Sequence, residues 1–217
     1  AALPAVMSVS MAVGATELAN KGAIVSRLVS IEEMAGMDIL CSDKTGTITE
    51  NKLKLSELAP FGDFKEKDLL IYGSLASREE DNDPIDNAIL QKAKDTADVN
   101  EKVGTYEVEK FTPFDPVIKH TEATVKGPEG EFKIAKGAPQ VILDMSSNKE
   151  EIRQKVEEKV DSLASKGYRA LGVCVEEKGE YRFAGLLGLY DPPHKDSAET
   201  IKTANSLNVD VKMVTGD

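Results

Sequence analysis

Two short apolar segments near opposite ends of the chain both stop at a cluster of small and acidic residues. Residues 37–41 are followed by Ser-Asp, and residues 209–214 are followed by Thr-Gly-Asp. A helix is predicted over residues 196–207, just before the second segment. Strands that alternate with helices are typical of an open parallel α/β sheet, in which ligands gather at the carboxyl ends of the strands. We therefore expect Asp43 and Asp217 to face one crevice.

The region between these segments has a different pattern. Helices are predicted over residues 65–77 and 84–97, and strands over residues 105–111, 120–126, 131–136, 168–175 and 181–189. A further helix carries an apolar stripe of Ile152, Val156, Val160 and Leu163, and Ser147 with Glu150 has the spacing of a capping box at its start. Hairpin signals between successive strands predict an antiparallel sheet. The whole region is therefore expected to be an α+β domain inserted between two halves of the parallel-sheet domain.

The first fifteen residues carry no charge. This run is shorter than the roughly 20 residues that cross a membrane, so it cannot span one alone. We expect it to be the end of a longer apolar helix, with a buried core helix as the alternative. The expected domains are then residues 1–20, the end of a transmembrane helix and its stalk; 21–52 and 191–217, two parts of the parallel-sheet domain; and 53–190, the insert.

Charge and cysteine content exclude several classes of function. The formal net charge is −11, which argues against a nucleic acid partner, because a duplex binder needs a basic face. The two cysteines do not form a zinc-binding or Cys-x-x-Cys pattern. Both lie in apolar runs, so we expect Cys41 and Cys174 to be buried thiols.

The segment DKTGT, which begins at Asp43, has the composition of a phosphoryl-accepting turn. A carboxylate is ionised at neutral pH and can attack phosphorus without a general base. Lys44 would offset the repulsion between two anions, Gly46 permits close backbone approach, and Thr45 and Thr47 supply hydroxyl and amide groups for phosphate oxygens. An isolated aspartate in this position would more often cap a turn.

The residue two positions beyond Asp43 indicates the fate of a phosphorylated intermediate. Phosphatases that use this chemistry commonly place a second aspartate there as a general acid and base. Here the residue is Thr45, which cannot readily activate a water molecule. We therefore expect a long-lived covalent intermediate, which suits a protein that couples hydrolysis to movement.

The segment SDKTGTIT, together with TGD at residues 215–217, resembles the phosphorylation signature of P-type ATPases, which belong to the haloacid-dehalogenase-like superfamily. The segments IEEMAGMDILC and ALPAVMSVSMAVG are similar to the plasma-membrane proton-pumping branch. The resemblance implies that Asp43 is phosphorylated and that its carboxylate and the Thr45 carbonyl hold Mg²⁺. It also implies that Thr215, Gly216 and Asp217 contact phosphate, and that the DPP segment at residues 191–193 is a hinge.

The same resemblance implies that the insert binds ATP. An aromatic ring would stack on adenine, lysines would support the nucleotide, acids would accept from the exocyclic amine, and an arginine would bridge toward the phosphates. The residues that match these roles are Phe114, Lys119, Lys136, Gly137, Asp83, Asp86 and Arg169.

The implied parent protein hydrolyses ATP through an aspartyl phosphate and exports cations, with protons suggested by the branch. It would lie in the plasma membrane with this segment on the cytoplasmic side. The family's magnesium-binding GDGxND segment does not occur in these 217 residues, so we expect weak or no self-phosphorylation of this chain alone. The alternatives are a soluble phosphatase of the same superfamily and a non-catalytic nucleotide-binding module.

Overall fold

The computed structural model describes residues 3–128 and 130–215, so the predicted site residues Gly216 and Asp217 lie outside the described residues. The helices of the described residues are α1 (Leu3–Asn20), α2 (Val29–Ala35), α3 (Glu66–Leu75), α4 (Pro84–Lys94), α5 (Ala97–Val103), α6 (Pro139–Met145), α7 (Lys149–Ser165) and α8 (Ser197–Ser206). The strands are β1 (Ile39–Asp43), β2 (Lys54–Pro60), β3 (Glu107–Thr112), β4 (His120–Gly127), β5 (Gly130–Gly137), β6 (Arg169–Glu177), β7 (Glu180–Tyr190) and β8 (Asp210–Val214).

The chain divides into two compact units, which are described separately. One unit comprises the residues up to Thr49 and those from Pro193 onward, and the other is Glu50–Pro192. In the first unit β1 and β8 form a parallel two-stranded sheet in which Asp43 is paired with Val214. The predicted parallel pairing of these two segments is therefore confirmed. Helix α8 leads into β8, as the helix–strand pattern predicted.

The two faces of this small sheet are largely uncovered within the described residues. Ile39 is 55% exposed and Met213 is 58% exposed. The expectation of a buried Cys41 was wrong: this thiol lies on the same uncovered sheet and is exposed. No helix in residues 3–128 and 130–215 combines the length and the apolar composition that crossing a bilayer requires.

The second unit is a six-stranded antiparallel sheet with helices on both faces. The strand order is β2-β7-β6-β5-β4-β3. Side chains alternate along each strand, so one face packs with α3, α4 and α5 and the other with α6 and α7. Ile134 and Ala135, consecutive in β5, belong to the two different cores. The predicted α+β character with an antiparallel sheet is confirmed.

Some local predictions in this unit were wrong. The capping box does not form, because α7 starts at Lys149 after Asn148 and lacks a side-chain cap. Ser147 instead donates its hydroxyl to the Tyr181 carbonyl at 3.1 Å. Helix α4 ends at Lys94, and the separate helix α5 follows it. The apolar stripe of α7 was predicted correctly, since Ile152, Val156 and Leu163 are all buried.

Candidate functional site

The turn after β1 holds the DKTGT segment in one conformation. Asp43 is the last residue of the strand and is exposed, and the turn covers Lys44–Ile48. Gly46 has a φ of 78°, a left-handed conformation that residues with a Cβ rarely adopt. The turn closes on Thr49, whose backbone N–H donates to the Lys44 carbonyl at 3.0 Å.

Thr49 also fixes this turn through its side chain. The residue is only 8% exposed. Its hydroxyl donates to the Lys44 carbonyl at 3.1 Å and accepts from the Gly46 N–H at 3.2 Å. Thr49 was not among the predicted site residues, although it belongs to the same TGTIT string. These two side-chain hydrogen bonds give the Lys44 carbonyl and the Gly46 N–H partners inside the turn.

The Asp43 carboxylate borders a cleft of about 540 Å³ in the first unit. Thr47, His194 and Ser197 also line it. The Ile48 carbonyl accepts from the His194 N–H at 2.9 Å and from the Ser197 hydroxyl at 2.8 Å, which joins the turn to the start of α8. Thr215 directly follows Val214, the register partner of Asp43, so the start of the TGD segment lies at the same end of the sheet.

Lys44 and Thr45 lie in this turn without lining the cleft, as far as the described residues show. Lys44 is half-buried and Thr45 is exposed. In the same described ranges no group of three or more histidine, cysteine or acidic residues is arranged to hold a metal ion.

A second cleft, of about 480 Å³, lies within the Glu50–Pro192 unit. Six of the seven residues that were assigned to nucleotide binding line it: Asp83, Asp86, Phe114, Lys136, Gly137 and Arg169. They come from the start of α4, the loop between β3 and β4, the end of β5 and the start of β6. The wall also includes Asp81, Ile85, Pro113, Thr121 and Leu171, which the sequence analysis did not name.

Lys136 and Asp86 form a buried ion pair at the bottom of this second cleft. Their side chains are 4% and 9% exposed. The Lys136 ammonium donates to one carboxylate oxygen of Asp86 and, at 2.6 Å, to the Ser77 hydroxyl. The other carboxylate oxygen of Asp86 accepts from the Arg78 N–H at 2.9 Å. Burial lowers the pKa of Lys136 from the ordinary lysine value, and the nearby Asp86 carboxylate partly offsets this effect.

The other lining residues are more accessible. One carboxylate oxygen of Asp83 caps helix α4 by accepting from the N–H groups of Ile85 at 2.7 Å and Asp86 at 3.2 Å. The Phe114 side chain is 59% exposed and therefore presents a ring to solvent at the cleft wall. Arg169, the first residue of β6, is also exposed. The cleft is thus closed and polar at the bottom and open toward an aromatic ring and a cation.

Lys119 is the one predicted nucleotide contact that does not line the second cleft in the described part of the chain. It has a φ of 56° in the turn that precedes β4. Its carbonyl accepts from the Ala138 N–H at 3.0 Å, so its backbone supports the segment of residues 136–139, which begins with Lys136 and Gly137. Ser77 and Arg78 were not predicted as site residues, yet Ser77 contacts Lys136 and the Arg78 N–H donates to Asp86. Only the folded chain brings them to Lys136, and no pattern in the sequence marks them.

Comparison with known proteins gives matches along the whole chain. No family model matches it. A cation-transporting ATPase of Methanocaldococcus jannaschii is 56% identical over 217 residues, which are 100% of this chain and 27% of that protein. A plasma membrane ATPase of Dictyostelium discoideum is 47% identical over 221 residues, which cover 100% of this chain and 21% of that protein. The chain therefore spans about a quarter of the length of these relatives.

Among solved structures, a zinc-transporting PIB-type ATPase in its E2.Pi state has a similar fold. The TM-score is 0.75 with 20% sequence identity, and the match covers 97% of this chain and 31% of that one. At this identity the likeness concerns the fold alone.

Proposed function

Because the chain is homologous along its whole length to a segment of P-type cation-transporting ATPases, we propose that it binds ATP in the Glu50–Pro192 unit and accepts the γ-phosphoryl group on Asp43. In this proposal residues 53–190 are the nucleotide-binding domain. Residues 21–52 and 191–217 are two parts of a haloacid-dehalogenase-like phosphorylation domain, and residues 1–20 are the end of a membrane helix and its stalk.

One observation carries the ATP-binding proposal: a single cleft is lined by six of the seven residues that the sequence resemblance predicts to bind the nucleotide. These residues are separated by up to 86 positions, from Asp83 to Arg169 (169 − 83), and chance would not be expected to gather them. A volume of about 480 Å³ lies in the range of small-molecule sites. The exposed Phe114 ring offers a stacking face to a purine.

The charges around the second cleft orient the nucleotide in this proposal. Three carboxylates, those of Asp81, Asp83 and Asp86, lie on one side, and they would repel phosphates. The Asp86 charge is balanced by Lys136, so this side suits a neutral heterocycle with amine donors. Arg169 is exposed at the start of β6 and provides the cation toward which the phosphates extend.

Asp43 is suited to act as the phosphoryl acceptor because it is exposed at the carboxyl end of a strand. One carboxylate oxygen would form the new bond to phosphorus as the bond from phosphorus to the ADP oxygen breaks, so ADP leaves with the electron pair. Lys44 supplies positive charge beside the acceptor. Thr45 in place of a second acid slows the attack of water on the acyl phosphate, and Thr215 with Gly216 and Asp217 would contact the phosphoryl group.

The donors around Asp43 fit magnesium. Mg²⁺ is commonly bound by one or two protein oxygens together with water and phosphate oxygens rather than by a dedicated cage of side chains. One exposed carboxylate and the Thr45 carbonyl match that donor set, and the described residues show no larger acidic or histidine group. When bound, the ion neutralises negative charge between the acceptor and the phosphates.

The parent protein would use this cycle to export cations, with protons as the proposed ion. The plasma membrane name of the Dictyostelium relative and the branch-specific segments IEEMAGMDILC and ALPAVMSVSMAVG support this choice. The parent would lie in the plasma membrane with this segment on the cytoplasmic side, where ATP is available.

The ATP-binding proposal can be tested by calorimetric titration of the 217-residue chain. We expect saturable binding that Phe114→Ala weakens about tenfold, since stacking of a base on an aromatic ring contributes roughly 1–3 kcal/mol. Val117→Ala is the matched control, because Val117 lies in the same loop, is 87% exposed and does not line the second cleft in the described residues. Absence of saturable binding, or equal effects of the two substitutions, would refute the proposal.

The phosphoryl-transfer proposal requires the longer parent protein. With labelled ATP and Mg²⁺ we expect acid-stable, hydroxylamine-sensitive labelling that Asp43→Asn abolishes. Labelling that survives Asp43→Asn would exclude this residue as the acceptor.

The identity of the exported ion can be tested by measuring ATP-driven acidification of sealed vesicles that contain the parent protein. If ATP is hydrolysed and the vesicles do not acidify, proton export is refuted.

A further inference from the structure

The Lys136 ammonium is held by two acceptors from different parts of the second unit. Asp86 belongs to α4, Ser77 follows α3, and Lys136 belongs to β5. The lysine side chain is 4% exposed and nevertheless borders the cleft. A buried ammonium group this close to a ligand site is costly unless each of its N–H bonds has a partner.

The direction of the Ser77 hydrogen bond is fixed by a second contact. The Ser77 hydroxyl donates to the Gly73 carbonyl at 2.8 Å. A hydroxyl has one proton to donate and two lone pairs to accept with. Ser77 therefore acts toward Lys136 as an acceptor, at 2.6 Å from its ammonium nitrogen. The Gly73 carbonyl of α3 thus orients the Ser77 hydroxyl, which accepts the hydrogen bond from the Lys136 ammonium.

An ammonium group has three N–H donors. In the part of the chain that the structure describes, Asp86 and Ser77 take two of them. Because Lys136 also lines the cleft, the third N–H is available to a molecule bound there. A single hydrogen bond to Asp86 would leave the other two N–H bonds of the ammonium free to rotate about the direction of that bond. The second hydrogen bond, to Ser77, removes this rotation.

We propose that Ser77 is a positioning residue for ligand binding: it fixes the rotation of the Lys136 ammonium so that one N–H points into the second cleft. The Asp86 charge balances the lysine charge, so the cleft offers a directed donor rather than a net positive charge. Such a donor suits a neutral acceptor, such as a ring nitrogen of a nucleobase, better than a phosphate. This inference rests on the proposed binding of ATP.

The chain contains a matched control for Ser77. Ser74 lies one turn earlier, is buried, and donates its hydroxyl to the Leu70 carbonyl at 2.7 Å, which is the same i to i−4 bond. The two serines differ in that Ser77 contacts Lys136. Ser74→Ala and Ser77→Ala therefore remove equivalent helix contacts, and only the second removes an acceptor from the ammonium group.

The test measures the Kd for ATP of the 217-residue chain and its variants by calorimetry. We expect Ser77→Ala to raise Kd about 3- to 10-fold, because a hydrogen bond to a charged group is lost. Ser74→Ala should leave Kd within twofold of the unsubstituted chain, and Ser77→Thr, which keeps a hydroxyl, should restore binding. The ¹⁵N signal of the Lys136 ammonium should move in Ser77→Ala and stay in place in Ser74→Ala.

The outcomes separate this inference from the function on which it rests. If the unsubstituted chain does not bind ATP saturably, both the function and the positioning role are refuted. If it binds ATP and Ser77→Ala matches Ser74→Ala in Kd, the positioning role alone is overturned. Failure of Ser77→Thr to restore binding while the chain remains folded likewise overturns it, since the hydroxyl would then not be the group that matters.

Discussion

Replacing Lys136 with Met tests whether the buried pair of the second cleft is electrostatically coupled. Methionine keeps an unbranched apolar side chain but leaves the Asp86 carboxylate, 9% exposed at its side chain, without its cationic partner. Removing one partner of a buried ion pair costs about 3–5 kcal/mol. Small domains are stable by only about 5–15 kcal/mol, so the loss takes a large fraction of the unit's stability.

Hydrogen exchange of the Ile134 and Ala135 amides is the appropriate assay, because both belong to β5 in the same unit as the pair. A loss of about 3 kcal/mol speeds exchange through global opening by more than about 100-fold. Lys133→Met is the control, since Lys133 is exposed on the same strand. Adding Asp86→Asn to Lys136→Met should recover more than half of the loss. A loss below about 1 kcal/mol in Lys136→Met, or no recovery in the double variant, would refute the coupling.

Three further predictions concern other parts of the structure. Burial raises the pKa of the Cys174 thiol to about 12, so at pH 8 only the exposed Cys41 should react rapidly with a disulfide reagent, and two fast thiols would contradict this. Thr49→Val removes both side-chain hydrogen bonds of the DKTGT turn and should speed exchange of the Gly46 amide about 5- to 30-fold, whereas Thr49→Ser should not. Gly137→Ala places a Cβ within 2.6 Å of the backbone of His120 on the neighbouring strand. This overlap should lower the free energy of unfolding, measured by thermal unfolding, by about 1–3 kcal/mol and should weaken ATP binding. An unchanged free energy of unfolding and an unchanged Kd would show that the two strands move apart at little cost.

Regular periodicity explains which elements could be predicted. The α7 stripe repeats at helical spacing over about three turns, and β4 alternates between buried and partly exposed residues, so local patterns were sufficient. Strand β2 was missed because its pairing with β7 shifts register between Leu55 and Glu57. A bulge of this kind places two residues opposite one and interrupts the period of two on which the sequence reading depends.

The site could be predicted in chemistry but not in its internal contacts. The resemblance to P-type ATPases, carried over residue by residue, selected six residues that line the second cleft, and the chemistry of rings, acids and cations is consistent with the roles it implies. The partners of Lys136 lie 59 and 50 positions away, at Ser77 and Asp86, and only tertiary packing brings them together. Asp86 was expected to accept from the ligand, yet both of its oxygens are engaged within the protein, one by Lys136 and one by the Arg78 N–H.

This difference reassigns the roles inside the second cleft and leads to a last prediction. If the Lys136–Asp86 pair is neutral as a unit, it contacts the base, and Arg169 is the cleft cation that interacts with the phosphates. Arg169→Ala should then raise Kd for ATP about 3- to 10-fold and leave Kd for adenosine unchanged, because adenosine has no phosphate. Ser77→Ala should weaken both ligands alike. Comparing the two variants with the two ligands gives four affinities, and a selective loss of ATP binding in Ser77→Ala would place the phosphates, rather than the base, beside Lys136.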